Sequence, residues 1–324
     1  MSTPKYRNHL PQLDVAGGLF LTDGGIETTL IFHDGLELPH FAAFHLLQDE
    51  AGTAALRRYF ARYAEIARAK GTGFILESPT WRASADWGEK LGYSAGALAV
   101  ANAKSIALMQ ELRAEFQGER MPIVVSGCVG PRGDGYDPGA AMSADEAQDY
   151  HARQIGVFAE SEADMVTAIT MTNASEAIGV ARAAETVGMP VAISFTLETD
   201  GRLPTGQGLG GAIAEVDGAT RGAPAYYMIN CAHPTHFAAT LAGGAPWLDR
   251  IRGLRANASK RSHAELNEAP DLDPGDPAEL GREHAALVAR RPRINVLGGC
   301  CGTDHRHVER ICAAVRGLGP QVGF

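Results

Sequence analysis

The sequence predicts an α/β fold of the (β/α)8 TIM-barrel type, formed by a single domain over residues 1–324. Short apolar runs alternate eight times with helical patterns along the chain. Most of these runs are apolar throughout, as in parallel strands that helices cover on both faces. Glycine-rich or polar segments follow several of them, where such barrels carry their active sites. A doubly wound open sheet is the alternative, because alternation alone does not distinguish it from a closed barrel.

Strands and helices are predicted in chain order. The strands cover residues 18–22, 73–77, 122–126, 164–168, 190–195, 226–230, 251–255 and 294–297, of which 251–255 is the least apolar. Apolar periodicity predicts helices over 54–70, 95–116, 176–187 and 305–315. Ser143 and Glu146 have the spacing of a capping box that opens a further helix through Phe158. Residues 257–277 are polar, with three prolines, and predict a long loop after the seventh strand.

Composition narrows the class of function. The net charge is −9 and no basic cluster offsets it, which argues against a nucleic-acid partner. No apolar run approaches the ~20 residues of a membrane-spanning helix, and residues 1–14 lack the apolar core of a signal peptide. Five cysteines without regular spacing do not resemble a secreted disulfide framework. We therefore expect a cytoplasmic protein that acts on small molecules, with no membrane partner.

The most informative motif is Gly-Gly-Cys-Cys-Gly-Thr at residues 298–303, directly after the predicted eighth strand. A further cysteine, Cys231, follows the sixth strand. Because the carboxyl ends of barrel strands meet on one rim, we expect Cys231, Cys300 and Cys301 to lie together. Three thiolates suit zinc and leave its fourth coordination position open to a substrate. The sequence therefore predicts an open zinc site.

An open three-thiolate zinc site favours activation of a thiol substrate, because metal binding lowers the thiol pKa and makes the sulfur a nucleophile. Hydrolysis by a metal-bound water is an alternative, although three thiolates make zinc a poor Lewis acid for water. The cysteines also allow a structural zinc closed by His233, a disulfide between Cys300 and Cys301, or three unrelated buried thiols.

Carboxylates accompany the cysteines on the predicted rim. Asp23 follows the first strand and is a candidate for holding a cationic amino group, with capping of the turn as its alternative role. Glu27 and Glu77 also lie near strand ends.

Taken in order, these segments resemble the homocysteine S-methyltransferase family. The resemblance rests on residues 23–25, Glu77 with Thr80, 127–131, 193–196, 200–203, 230–231 and 298–303, and it covers most of the chain. It implies a zinc-dependent barrel that methylates homocysteine to methionine, with Cys231, Cys300, Cys301 and the homocysteine sulfur as the four zinc ligands. It also implies that Asp23 contacts the amino group of the substrate.

Two positions depart from the family pattern. Ile169 stands where the family usually has a glutamate implicated in binding the amino group, and Glu27 replaces the second glycine of the first motif. We hypothesise that Glu27 supplies the missing charge, together with Glu77. The predicted substrate-binding residues are Asp23, Glu27, Glu77 and Thr80. No catalytic side chain is predicted beyond the zinc-bound thiolate.

The predicted function is methyl transfer from a sulfonium donor to homocysteine, giving methionine, with Zn2+ as cofactor. The sequence continues only briefly past the predicted barrel, which disfavours donors that need a cobalamin, folate or long C-terminal module. S-methylmethionine is the expected donor, with S-adenosylmethionine as the alternative. Other possible functions are methylation of a different thiol, for which Ile169 is the reason, and non-catalytic sensing of zinc or a thiol on the same scaffold.

Overall fold

Eight parallel strands pair in chain order, and the last pairs with the first, so that the sheet closes into a barrel. The computed structural model describes residues 4–14, 18–118, 121–269 and 271–319. The strands are β1 (Phe20–Leu21), β2 (Gly73–Glu77), β3 (Ile123–Val129), β4 (Met165–Met171), β5 (Val191–Thr196), β6 (Tyr226–Asn230), β7 (Ile251–Ala256) and β8 (Val296–Gly299). The closed sheet confirms the predicted (β/α)8 barrel over the open alternative.

The helices lie between consecutive strands and after the last one. They are α1 (Glu50–Lys70), α2 (Ala85–Lys90), α3 (Ala95–Phe116), α4 (Ala144–Glu160), α5 (Ala174–Thr186), α6 (Leu209–Thr220), α7 (Pro234–Phe237), α8 (His263–Glu268), α9 (Pro277–Arg290) and α10 (His305–Arg316). The predicted capping box is present at the start of α4, where Ser143 and Glu146 bond reciprocally. Helix α1 begins before the predicted residue 54, because the Asp49 side chain accepts a hydrogen bond from the Gly52 N–H and caps it.

Three strands end two or three residues later than the apolar runs predict. Strand β3 continues because Gly127 pairs with Val166 and Cys128 with Thr167, and β4 continues to Met171, which pairs with Phe195 of β5. Strand β8 runs to Gly299, which pairs with Ala256 of β7. The pairing with β7 therefore extends to the residue before Cys300, so that Cys300 and Cys301 lie at the carboxyl rim of the barrel.

Apolar side chains fill the barrel interior near the amino ends of the strands. They come from seven strands and comprise Phe20, Ile75, Val124, Met165, Ala192, Tyr226, Met228 and Val296. Leu10 of the N-terminal segment packs against this cluster, and a larger apolar layer lies between the sheet and the helices. This filling leaves the carboxyl end of the barrel for polar side chains.

The predicted loop over 257–277 contains helix α8 and contributes Ser259, Leu266 and Asp273 to the cavity described below. Its residue 270 lies outside the described part of the chain, as do residues 1–3 and 320–324 at the ends of the predicted domain. Within the described ranges, no helix combines the length and the apolar character needed to cross a membrane.

Candidate metal and substrate site

Three cysteines meet at the carboxyl rim of the barrel. Cys231 directly follows β6, and Cys300 and Cys301 directly follow β8. Their sulfurs all lie within 4.8 Å of one another, and the Sγ atoms of Cys231 and Cys301 are 3.9 Å apart. Cys231 donates its N–H to the Arg255 carbonyl and Cys300 to the Ala256 carbonyl, both at the end of β7. The three sulfurs are thus held from β6 and β8, the two strands that flank β7, and they lie together as the sequence predicts.

The loop after β1 packs directly on the cysteine segment. A Cβ atom on Gly25 would lie 2.6 Å from the Cys300 carbonyl oxygen, so that only glycine fits this approach. Gly302 has a φ of +77°, a conformation that favours glycine, and its N–H donates to Thr28 Oγ1 at 2.9 Å. The glycines that the sequence places beside the cysteines therefore bring residues 25–28 against the cysteine segment.

Cys231 and Cys300 are joined by a disulfide, whereas Cys301 is free. The sequence also allowed a disulfide between Cys300 and Cys301, but this is not the pairing observed. Cys231, which follows β6, faces Cys300 across the rim and forms the bond with it. Metal binding requires thiolates, so reduction of this disulfide must precede the formation of a three-sulfur site.

The donor set fits zinc with one coordination position open. His233, which the sequence left as a possible fourth ligand, directs Nε2 to Glu283 at 3.3 Å and Nδ1 to Thr235 at 2.9 Å. In the described residues, the three sulfurs form a group with the spacing to hold a metal ion, and it includes no histidine or carboxylate. Burial raises the pKa of the Cys301 thiol to about 11, so a cation at the sulfurs is what would favour the thiolate at neutral pH.

Tyr136 and His263 support the cysteines, and the sequence reasoning missed both. The Tyr136 hydroxyl lies 3.1 Å from the Cys301 sulfur, and its ring stacks on the His263 ring with centroids 4.0 Å apart. His263 contacts the Cys231 carbonyl through Nε2 at 2.5 Å and Glu198 through Nδ1 at 3.1 Å. Tyr136 lies in the loop after β3 and His263 begins α8, and only tertiary contact, with no local spacing, marks them as neighbours of the cysteines.

Asp23 and Glu77 share one buried cation. Arg255 at the end of β7 contacts Asp23 Oδ1 at 2.6 Å, forms an ion pair with Glu77, and donates Nε–H to the Gly299 carbonyl at 3.1 Å. Tyr59 donates its hydroxyl to Asp23 Oδ2 at 2.8 Å. Burial raises the pKa of Glu77 to about 7 and also raises that of Asp23, while Arg255 opposes both shifts. The guanidinium therefore partly neutralises two carboxylates that the sequence predicts for substrate binding.

Glu27 differs from those two carboxylates because its side chain forms no ion pair or hydrogen bond with another side chain among the described residues. It lines the same cavity and is half-buried at the start of a π-helix over Thr28–His33. Burial raises the pKa of Glu27 to about 7. Among the predicted substrate-binding carboxylates, Glu27 is thus the one whose charge has no protein cation bonded to it.

Thr80 lies behind the cavity wall and not on it. It is fully buried, and its hydroxyl donates to the Cys128 carbonyl at 2.7 Å and bonds Ser78 Oγ at 2.7 Å. Its position is therefore that of a structural hydroxyl that ties β2 to β3, which differs from the predicted contact with substrate. Ile169 does line the cavity and places an apolar side chain where the family pattern usually has a glutamate.

The cysteines, Glu27 and Arg255 open onto one cavity of about 380 Å3, a size within the ~300–1,000 Å3 typical of small-molecule sites. Its wall is mainly apolar and includes Trp81 and Tyr136. Phe32 and Phe41 stand at its mouth and are 56% and 55% exposed. An aromatic entrance thus leads to a polar floor that carries sulfur, carboxylate and guanidinium groups.

Comparisons with known proteins agree with this site. A model of the family named Homocysteine S-methyltransferase matches residues 20–315, a span that includes all three cysteines. Homocysteine S-methyltransferase 4 of Zea mays is 26% identical over 321 residues, which cover 93% of this chain and 90% of that protein.

Two solved structures of the homocysteine methyltransferase MmuM from Escherichia coli have a similar fold. The oxidised form has a TM-score of 0.73 at 19% identity, with coverage of 91% of this chain and 95% of that one. The metallated form has a TM-score of 0.66 at 17% identity, with coverage of 93% and 96%. At these identities the likeness establishes the barrel fold.

Proposed function

Because the chain belongs to the homocysteine S-methyltransferase family and is an enzyme of that class, we propose that it methylates homocysteine on a zinc ion held by Cys231, Cys300 and Cys301, with S-methylmethionine as donor. The observation that carries this proposal is the cluster of three rim sulfurs within 4.8 Å of one another, facing a cavity. No fourth ligand closes the cluster among the described residues. Such a site has room for the sulfur of a substrate.

Zinc in this site would supply one thing, a lowered pKa for the acceptor thiol, so that its sulfur is nucleophilic at neutral pH. The acceptor sulfur then forms a bond to the methyl carbon while the bond from that carbon to the sulfonium sulfur breaks, and the donor leaves as a neutral thioether. The acceptor thiol releases its proton to solvent before this transfer, so no side chain needs to move a proton during it. The protein contributes alignment of the two sulfurs and a largely apolar, water-poor cavity.

The aromatic entrance supports a sulfonium donor. Aromatic faces attract cations that carry methyl groups, and Phe32 and Phe41 stand at the mouth of the cavity. Phe41 and the preceding His40 have φ values of 58° and 54°, so the backbone adopts a costly left-handed conformation where it presents the Phe41 ring. We infer that these rings receive the methylsulfonium group.

We also propose that Glu27 binds the ammonium group of homocysteine, since Asp23 and Glu77 are engaged by Arg255. Replacing Glu27 with glutamine should raise the KM for homocysteine by about 10-fold or more, because a charged hydrogen bond is lost. The KM for S-methylmethionine should stay within about twofold. Steady-state kinetics with each substrate varied in turn would measure both, and an unchanged KM for homocysteine would contradict the role of Glu27.

The activity should also fall on the acid side of neutrality. Burial raises the pKa of Glu27 to about 7, so the side chain is neutral below that pH and loses its attraction for an ammonium group. We expect kcat/KM for homocysteine to decrease as the pH falls through about 7, and the Glu27→Gln variant to lack this decrease. Persistence of the same decrease in the variant would assign it to another group, such as Glu77, whose pKa also lies at about 7.

Two measurements test the proposal as a whole. Zinc-edge X-ray absorption on reduced, zinc-loaded protein should give three sulfurs and one lighter atom, and then four sulfurs at ~2.3 Å once homocysteine is added. Incubation of homocysteine deuterated on its carbon chain with unlabelled S-methylmethionine should yield chain-deuterated methionine. A sulfur shell that stays unchanged when homocysteine is added would refute homocysteine as the acceptor. Labelled product that forms with S-adenosylmethionine but not with S-methylmethionine would refute S-methylmethionine as the donor.

A further inference from the structure

Arg82 is a buried cation with few protein partners. It lies beyond β2, is 4% exposed, and its guanidinium stacks between the Trp81 and Trp87 rings at 3.9 and 3.8 Å from their centroids. Nη1 donates to the Gly133 carbonyl at 2.8 Å, and this is the hydrogen bond that its guanidinium makes with the described residues. Its Nε is buried without a partner. No carboxylate of the described residues forms an ion pair with it.

This arrangement is costly unless an anion completes it. A buried guanidinium without a bonded carboxylate loses hydrogen bonds to water that nearby charges alone do not replace. Burial lowers the pKa of Arg82, but only to about 10, so the side chain remains charged at neutral pH. The buried Arg113 shows the usual solution, since its guanidinium contacts the Asp164 carboxylate at 2.7 Å. Arg82 lacks such a partner and lines the substrate cavity.

Asp134 and Glu27 line the same cavity and are close enough for their charges to raise the pKa of Arg82, yet neither forms an ion pair with it. Asp134 accepts hydrogen bonds from the backbone N–H groups of Tyr136 and Asp137, which leaves Glu27 as the carboxylate without a hydrogen bond from another of the described residues. An anionic and a cationic group that face one cavity without bonding each other match the two charges of an α-amino acid. The cation takes the carboxylate, ideally through the two N–H groups of a guanidinium edge, and the anion takes the ammonium group.

We propose that Arg82 binds the α-carboxylate of the acceptor amino acid and determines the preference of the enzyme for a thiol that carries one. The assignment rests on the proposed function. It is made to the acceptor because Thr28, next to Glu27, accepts a hydrogen bond from the Gly302 N–H, and Gly302 adjoins Cys301. Glu27 therefore lies next to the cysteine sulfurs, which is where the sulfur of the acceptor must bind.

The test separates carboxylate recognition from simple packing of Arg82 between two tryptophans. Arg82→Gln removes the charge, and Arg82→Lys keeps the charge but loses the fork of N–H groups. Each variant is compared with wild type on homocysteine and on aminopropanethiol, which is homocysteine without its carboxylate. Arg132→Gln is the matched control, because Arg132 is exposed, pairs with Asp86 at 2.7 Å and is not among the residues lining the cavity.

We expect Arg82→Gln to lower kcat/KM for homocysteine by about 10- to 100-fold, mainly through KM. On aminopropanethiol it should remain within about twofold of wild type. On homocysteine, the kcat/KM of Arg82→Lys should lie between those of wild type and Arg82→Gln. The kcat/KM of Arg132→Gln should match that of wild type on both thiols. The lysine variant keeps the test informative if the glutamine variant fails to fold.

Equal losses on both thiols would overturn the proposal and leave Arg82 a packing residue. A rise in KM confined to the methyl donor would also overturn it, because the carboxylate would then belong to the other substrate. Failure of the wild-type enzyme to methylate homocysteine with any sulfonium donor would instead refute the proposed function. The wild-type measurement therefore distinguishes the two failures.

Discussion

Replacing Cys301 with serine is expected to abolish stoichiometric zinc binding and to lower methyl transfer by at least ~10^3-fold, because an open zinc site with two remaining sulfurs loses both affinity and its charge balance. Cys301 is the most informative of the three cysteines to change. It is free, whereas Cys231 and Cys300 are joined, so the variant leaves the other pair intact. Metal analysis of the reduced protein, followed by assays with homocysteine and S-methylmethionine, would measure both effects.

Cys312→Ala is the matched control for this experiment. Cys312 is a free cysteine that lies buried in α10 with the apolar layer outside the barrel, and its removal should leave zinc content and the substrate KM values unchanged. A Cys301→Ser protein that still bound one zinc per chain with full activity would contradict the proposed ligand set. Loss of zinc in the Cys312 variant as well would point to general instability of the fold.

The fold could be predicted from the sequence because each strand carries its own signal. Short runs that are apolar throughout are typical of parallel strands buried on both faces, and eight such strands are the number that forms a (β/α)8 barrel. Strand ends were less accurate, as in β3, because pairing continues through residues such as Gly127 and Cys128 that are not part of an apolar run. Local composition marks where a strand lies, but its neighbour decides how far it extends.

The cysteine site was predictable for a related reason. Cys231, Cys300 and Cys301 directly follow strands, and barrel closure places all strand ends on one rim, so fold class alone implied their proximity. The disulfide between Cys231 and Cys300 was not predicted. Which pair of the three sulfurs comes into contact depends on side-chain directions that the order of strands does not determine.

The roles of the carboxylates could not be separated from the sequence. Asp23, Glu27 and Glu77 are alike as rim acids, and what distinguishes them is Arg255, which occupies two of the three. The arginine did carry a signal, since a charged residue that ends a buried strand requires a partner. Its partners, however, come from β2 and the segment after β1, and only the closed barrel brings these near the end of β7.

Among the substitutions proposed here, removal of the Arg255 charge should lower the free energy of unfolding the most. Arg255→Met keeps the length of the side chain but leaves Asp23 and Glu77 as buried carboxylates without a cation, and breaking a buried ion pair from one side costs about 3–5 kcal/mol. We expect the free energy of unfolding in urea at pH 8 to fall by that amount. Arg255→Lys, which retains the charge, should lose less.

The pH dependence of this loss identifies its cause. Burial already raises the pKa of Glu77 to about 7 with Arg255 in place, and removing the cation raises the folded-state pKa further. A carboxyl whose pKa is higher in the folded than in the unfolded state destabilises the fold as the pH rises and the group must ionise. The deficit of Arg255→Met should therefore shrink between pH 8 and pH 5.5, and adding Glu77→Gln should recover part of it at pH 8. A deficit that is independent of pH and of Glu77 would mean that Arg255 acts through packing of its alkyl chain, and that its charge does not hold the two carboxylates at the floor of the cavity.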